Sequence, residues 1–496
     1  VTMSNDGVVA GYGNWKKPTS AGLVGLSFAG TMVAMVGLVV VVVVANVKGW
    51  LAALLAFAVV AAVVAMTVTR DKHGLNVADR TKERVRWWES RSSGSNLYRS
   101  GPLGRTPWGT CQLPGIAAAT RLTEFVDVYE RPFALLSSPV GTVTVVLASQ
   151  PEGDSLVDQE QVDRWVSRFG GWLAGLSDYL GLIAASVTVE TAPDTGTRLR
   201  QEVTLNLDPA APPFAREVLA EVVDNYPVGS NKVSAYVALT FARSVAGRKR
   251  SIEDLGRDLA AQLPNLTGTL EATGAGATHP ATAAELCELV RTAYDPASAV
   301  IFDEAASQGV RVDLTWSDVG PAAAEAGWQD YRHDSGLSRT WMVTGAPQGV
   351  VQSNILSGVL APHRDVSRKR VTLLYTPHDP ARAAAMVDAD VRQTRAMLGE
   401  RAGAGAYRAH QAAQKTAAEQ AAGAGLVSFG MLITATVMDA AQEAQAAAAV
   451  QNLTAAARLM VRPTYGSQDT AFAAALPLGL HLPRYASMIT ATERVA

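Results

Sequence analysis

Seven histidines, two cysteines and the cationic cluster Arg368–Lys369–Arg370 are the residues of this 496-residue chain whose types could do chemistry. Histidine and cysteine hold a metal when they recur at ligand spacing, and an HExxH, a CxxC pair or a GxSxG elbow would announce hydrolysis or metal binding. None of these occurs. His73, His279, His333, His363, His378, His410 and His481 never fall at ligand spacing, and His363 and His378 each follow a proline in a turn-like context. Cys111 and Cys287 are far apart, which suits small buried hydrophobes in a reducing compartment without a structural disulfide. No GxxxxGK[ST] loop exists, so a nucleotide-hydrolysing motor of that class would lack both its backbone cradle and its lysine. Gly274–Gly276 and Gly403–Gly405 read as flexible linkers. The cluster Arg368–Lys369–Arg370 remains, either as a partner-binding patch for a phosphate or an acidic protein or as a solvated strand start. The sequence therefore predicts no catalytic, cofactor-binding or metal-ligating residue.

Stepping from these residues to the elements that carry them, two uncharged apolar runs dominate the amino-terminal part. Ala21–Val47 and Trp50–Thr69 are each about as long as the roughly 20 residues a helix needs to cross a ~30 Å hydrocarbon core, and only Lys48 and Gly49 separate them. The expectation is a two-helix transmembrane hairpin. Lys16 and Lys17 precede it, and Arg70, Lys72, Arg84 and Arg86 follow it. By the positive-inside rule these are the membrane-surface residues, and both termini and the main domains are cytoplasmic in a multi-pass protein of the cell membrane. Residues 70–105 hold nine basic residues against four acids, enough to lie on an anionic lipid bilayer, with Trp87 and Trp88 as interfacial anchors. The formal net charge of -2 argues against a wholesale nucleic-acid coat and leaves direct nucleic-acid binding open.

Beyond the linker the pattern alternates between strand and helix signals. Gly141–Ser149, Leu182–Ala192 and Asn231–Ala242 read as strands, and Val157–Gly181 and Pro212–Tyr226 as helices. Helical segments fill Ser251–Ala297. Arg311–Asp318, Leu337–Gly345, Arg370–Pro377, Gly425–Asp439 and Met460–Gly466 then read as strands. Between the third and fourth of these a long helix, Pro380–Ala424, is expected to break near Gly399–Gly405, and Ala440–Leu459 is a further helix. The fold class predicted is α+β: the hairpin, then two ferredoxin-like α/β units with extra helices, one plan used twice. The divisions are an arm over 1–20, the hairpin over 21–69, a basic segment and linker over 70–118, a first α/β domain over 119–250, a helical connector over 251–310 and a second α/β domain over 311–496.

YGNWKKP (Tyr12–Pro18), LYRSGPLGR (Leu97–Arg105), RPFALL (Arg131–Leu136), LVDQEQVDRWV (Leu156–Val166), ASVTVETAPDTGTRLR (Ala185–Arg200), TAAELCELVRTAYDP (Thr282–Pro296) and AFAAALPLG (Ala471–Gly479) together resemble a family of actinobacterial integral membrane proteins. That family belongs to integrative conjugative elements and is encoded beside a traffic ATPase. Its cytosolic part is likened to the EccE subunit of type VII secretion. More distantly, the chain resembles a VirB-type membrane subunit fused to the amino-terminal domain of the VirB-type traffic ATPase, without the motor. The resemblance implies a non-catalytic inner-membrane structural subunit of a conjugative, type IV-like apparatus. It would dock a separate traffic ATPase, work beside other membrane subunits in an oligomeric assembly, and need no cofactor. The alternatives are an EccE-like subunit of a type VII-like translocon and a membrane-tethered enzyme whose site is assembled only by folding.

Overall fold

The computed structural model describes residues 28–493 apart from 70, 102–103, 105, 107–108, 152, 154–156, 195, 209, 226–230, 246, 348–350 and 399–402. Lys16, Lys17, Arg70 and the arm over 1–20 lie outside the described residues. The two apolar runs form antiparallel helices, α1 (Phe28–Lys48) and α2 (Trp50–Val68), turning at Gly49, whose φ of 85° suits glycine. They meet where Gly37 leaves room for Val60, since a Cβ at Gly37 would stand 2.3 Å from Val60 Cγ1.

Among the described residues no helix is long and apolar enough to cross a membrane. This corrects the expected transmembrane hairpin, and the multi-pass placement in the cell membrane does not stand.

Asn76 caps α3 (Val77–Ser93) by accepting the Asp79 amide at 2.8 Å, and Gly94 closes it in the left-handed conformation. The body that follows is built on one thirteen-stranded sheet in which every pairing is antiparallel. Its first half contains β1 (Leu97–Arg99), β2 (Arg121–Val126), β3 (Pro132–Ser138), β4 (Thr142–Gln150), α4 (Gln159–Gly175), β5 (Leu182–Pro193), α5 (Thr197–Asn206), α6 (Pro213–Asn225) and β6 (Asn231–Ala242). A small ribbon, β7 (Ser244–Val245) with β8 (Arg248–Lys249), leads to α7 (Ile252–Leu270) and β9 (Ala277–Pro280). Ser251 caps α7 on the Asp254 amide.

Two helices connect the halves: α8 (Ala283–Tyr294), opened by a Thr282–Glu285 capping box, and α9 (Ser298–Ser307). The second half contains β10 (Ala323–Ala326), β11 (Tyr331–His333), β12 (Gly336–Gly345), α10 (Ser357–Leu360), β13 (Arg368–Pro377), α11 (Pro380–Ala396), α12 (Ala404–Ala421), β14 (Val427–Val437), α13 (Glu443–Ala456) and β15 (Met460–Pro463). The chain then runs through α14 (Gln468–Ala475) to α15 (Leu482–Glu493).

The two halves repeat one topology. In the first, β9, β4, β6 and β5 lie side by side; in the second, β15, β12, β14 and β13 do. Each is a split β-α-β arrangement with a helical pair inserted before its third strand, α5–α6 in one and α11–α12 in the other. Each also carries a preceding hairpin, β2–β3 or β10–β11, on its first strand. The halves do not form separate sheets. They join where β5 pairs β13, with Thr188 opposite Thr372 and their hydroxyls 3.2 Å apart. Equally distant from that pair stand two matching rungs, Thr144–Thr240 at 3.1 Å and Ser338–Thr436 at 2.7 Å. The body therefore has a pseudo-twofold axis at its central seam.

One sheet face is apolar and covered half by half. Leu135, Val145, Val237 and Leu239 pack under α4 and α7, while Trp341, Val371, Ile433 and Ala435 pack under α13 and α10. The other face carries the threonines and is covered by α8, α14 and the segment after it. Close approach is needed there: the Gly479 carbonyl accepts from Thr240 Oγ1 at 3.0 Å, and the Ala475 carbonyl from Thr372 Oγ1 at 2.6 Å. The small residues of AFAAALPLG are what lets this segment lie on a hydroxyl-lined sheet. One expected strand is absent among the described residues: 311–318 joins no ladder, and Trp316 instead donates to Thr120 Oγ1 at 3.1 Å.

Candidate interaction surface

The hairpin presents apolar side chains almost all round. Trp50 is 87% exposed and Leu51 86%, and Leu54, Leu55 and Phe57 on α2 and Met35, Leu38 and Val39 on α1 are exposed as well. A shallow apolar groove between the helices is lined by Met32, Val36, Gly37, Val59, Val60 and Val63. Contiguous apolar surface on this scale marks an interaction site rather than ordinary surface.

α3 fastens the hairpin to the body. Arg462 donates to both oxygens of Glu83, at 3.2 and 2.5 Å, the two-pronged geometry that suits a guanidinium and a carboxylate. Trp87 meets Trp328 edge to face at 5.3 Å, Trp328 stacks on Tyr465 at 5.3 Å, and Arg84 lies over the Trp328 ring at 4.8 Å. Gly466 brings its backbone against both tryptophans, and its amide donates to the Trp328 carbonyl at 2.9 Å. His73 Nδ1 stands 3.0 Å from Thr344 Oγ1 at the end of β12 nearest the hairpin. Trp87, expected at a lipid interface, is thus part of a protein joint, whereas Trp88 is exposed. Lys72, Arg84 and Arg86 are exposed, Arg84 with its guanidinium already stacked.

Sequence reasoning missed this joint because its partners are far apart in the chain. The signal available was a set of aromatics in otherwise turn-like segments, Trp328 in AGWQDY and Tyr465 in PTYG.

The expected partner-binding cluster is turned inward. Arg370 Nε donates to Glu190 Oε2 at 2.7 Å, and Arg368 pairs with the other oxygen of the same carboxylate. Lys369, only 1% exposed, points to the opposite face and donates to the Ala361 carbonyl; burial lowers its pKa to about 8. Burial works to raise the Glu190 carboxyl, but the charges and hydrogen bonds of Arg370 and Arg368 outweigh it and hold the pKa below the ordinary value. The cluster is a structural ion group across the seam, and an external partner would find its side chains engaged.

Two serine–histidine contacts stand among the described residues: His378 Nε2 lies 2.7 Å from Ser428 Oγ in a part-buried setting, and the second is internal. His333 Nε2 stands 2.7 Å from Ser338 Oγ, and Nδ1 stands 2.6 Å from the Tyr294 carbonyl. A carbonyl only accepts, so Nδ1 carries the proton and Nε2 accepts from Ser338. Both residues are fully buried beneath Tyr294, Tyr331 and Phe472, and burial lowers the His333 pKa to about 4. No substrate reaches this pair. The Cys287 thiol is buried and pushed up to about 12, which leaves it unreactive at neutral pH. No group of three or more histidine, cysteine or acidic side chains stands close enough to hold a metal ion among the described residues.

A family model described as "Domain of unknown function (DUF8461)" matches residues 19–79, the hairpin and the start of the joint. No curated protein matches the chain.

Proposed function

We propose that the protein is a non-catalytic assembly subunit of a conjugative, type IV-like transfer apparatus that docks a separately encoded traffic ATPase. The observation that carries this reading is the exposed apolar hairpin held on a large body by the Glu83–Arg462 pair and the Trp87–Trp328–Tyr465 stack. A body whose Arg368–Lys369–Arg370 cluster is engaged internally and whose hairpin is exposed is suited to joining other proteins through that hairpin. The hairpin packs among apolar helices of neighbouring subunits. The resemblance of AFAAALPLG and the other motifs to conjugative-element proteins, and the lack of a phosphate loop, support assigning the motor to another chain.

The test is co-purification of the full-length protein, in mild detergent, with the traffic ATPase and neighbouring subunits of its own element. Recovery of the ATPase in stoichiometric amount is expected. Recovery of the protein alone, or ATP turnover by the protein alone, overturns the reading. Transfer of the hairpin into protein-free phospholipid vesicles in preference to the subunits overturns its protein-docking role.

A further inference from the structure

A small polar pocket lies inside the second half, between β12 and α13. Arg339, Trp341, Glu443, Ala446 and Ala447 are among the residues that wall it, and it leaves about 10 Å³ for the centre of a water molecule. Trp341 is 1% exposed, and its Nε1 has no hydrogen-bond partner among the described residues. Arg339 Nε and Glu443 Oε1 are buried in the same condition. Arg339 Nη2 stands 2.6 Å from Glu443 Oε1, so the two charges offset each other, but that ion pair serves neither Arg339 Nε nor the indole N–H. Buried polar groups are ordinarily paired, and three orphans on the walls of one pocket call for a common partner.

The pseudo-twofold counterpart shows that the sheet does not itself require these polar groups. The rungs Ser338–Thr436 and Thr144–Thr240 are equivalent, so Leu337, Arg339 and Trp341 correspond to Val143, Val145 and Leu147. Those three are fully buried in the apolar core beneath α4 and α7. The first half fills this place with hydrocarbon; the second builds an ion pair and an indole N–H into it.

We propose that the pocket binds one water molecule, which ties α13 to β12. The chemistry of the walls selects the occupant. Trp341 Nε1 and Arg339 Nε only donate and the Glu443 carboxylate only accepts, so the occupant must do both. Water accepts and donates, and about three polar partners are usual for a buried one. The space matches as well, since a single water needs roughly 10–15 Å³ of it. A cation would face the guanidinium and two N–H donors, an anion would face the carboxylate, and an organic molecule is too large. The inference is independent of the function proposed above.

The experiment compares full-length wild-type protein with Arg339→Met plus Glu443→Leu, which removes two of the three polar partners. Exchanging a buried ion pair for apolar side chains is often neutral or stabilising, so the variant is expected to fold, and circular dichroism checks that it does. Oxygen-17 relaxation dispersion of the solvent counts long-lived internal waters, and the variant is expected to hold about one fewer than the wild type. A crystal structure of the wild type is expected to show an ordered water within hydrogen-bond distance of both Trp341 Nε1 and Glu443 Oε1. Equal numbers of long-lived waters in the two proteins overturn the inference, and so does a crystal in which Trp341 Nε1 donates directly to a protein oxygen. If the double variant does not fold, Trp341→Phe takes its place: it removes one donor, keeps the ion pair and is expected to shorten the residence time of the water. Unchanged dispersion in that variant overturns the proposal.

Discussion

Arg370 on β13 lies directly opposite Glu190 on β5, with Nε 2.7 Å from Oε2, at the seam that joins the two halves of the sheet. The Arg370 side chain is 3% exposed and that of Glu190 11%, and Arg370 Nη1 has no other partner. Glu190→Gln keeps the volume and removes the charge, leaving the two buried arginines uncompensated. The expected loss is about 3–5 kcal/mol, measured as a fall in urea midpoint. The pH dependence has a definite sign. A carboxyl held below its ordinary pKa stabilises the fold above the unfolded value, and that contribution is lost as pH falls through the folded value. The wild-type protein should lose stability on that acid limb, and the variant should lack this component.

His333 supplies a second acid-sensitive element at a higher pH. Its pKa is about 4 in the fold, against roughly 6.5 for a free histidine, so the unfolded chain binds more protons between those values. Stability therefore falls as pH drops below about 6.5. By linkage the loss from pH 7 to pH 5 is roughly 2 kcal/mol. His333→Asn should lower stability at pH 7 and flatten this slope, measured by denaturant unfolding at both pH values. An unchanged slope would place the sensitivity elsewhere.

The joint between hairpin and body should be separable from the stability of the body. Trp328→Ala removes the ring that stacks on Tyr465, meets Trp87 and lies under Arg84. We expect faster hydrogen exchange and earlier proteolysis across α3, with exchange in β5 and β13 unchanged. Arg462→Met should act in the same direction by releasing Glu83.

Gly479→Ala tests the close packing of the carboxy-terminal segment on the hydroxyl-lined face. Gly479 has a φ of 61°, and a Cβ would stand 2.2 Å from Thr240 Oγ1 and 2.6 Å from Thr144 Cγ2. The conflict with two threonines anchored in a central sheet should destabilise by about 1–3 kcal/mol or more. Gly430→Ala, with nothing within 4 Å of the added carbon, is the control and should be neutral. Thermal unfolding of the two variants distinguishes them.

The elements legible in the sequence were those whose signal is local. Strand β6 runs over Asn231–Ala242 as its alternation indicates, α11 ends at Ala396 and α12 starts at Ala404 after Gly403, and Ser251 and Thr282 start helices because their side chains accept backbone amides. What the pattern could not show was pairing. Nothing in β5 or β13 taken singly reveals that each is the other's neighbour, so two units were expected where one sheet runs through both. The Arg368–Lys369–Arg370 run misled because alternation along a strand sends its side chains to opposite faces, and Glu190 is far away in the chain. The apolar runs at the start were read from their length and lack of charge, and among the described residues no helix is long and apolar enough to cross a membrane. The repeat itself was visible only as a similar order of strands and helices; the equivalent Thr144–Thr240 and Ser338–Thr436 rungs required the register.

Because β5 and β13 belong to one polypeptide, their pairing is an intramolecular event governed by the effective concentration of a tether rather than by the abundance of the protein. Dilution cannot pull the two units apart, and neither central strand is left as a bare edge able to recruit a strand from a stranger. A cell making few copies would still obtain a fully closed seam in every one of them.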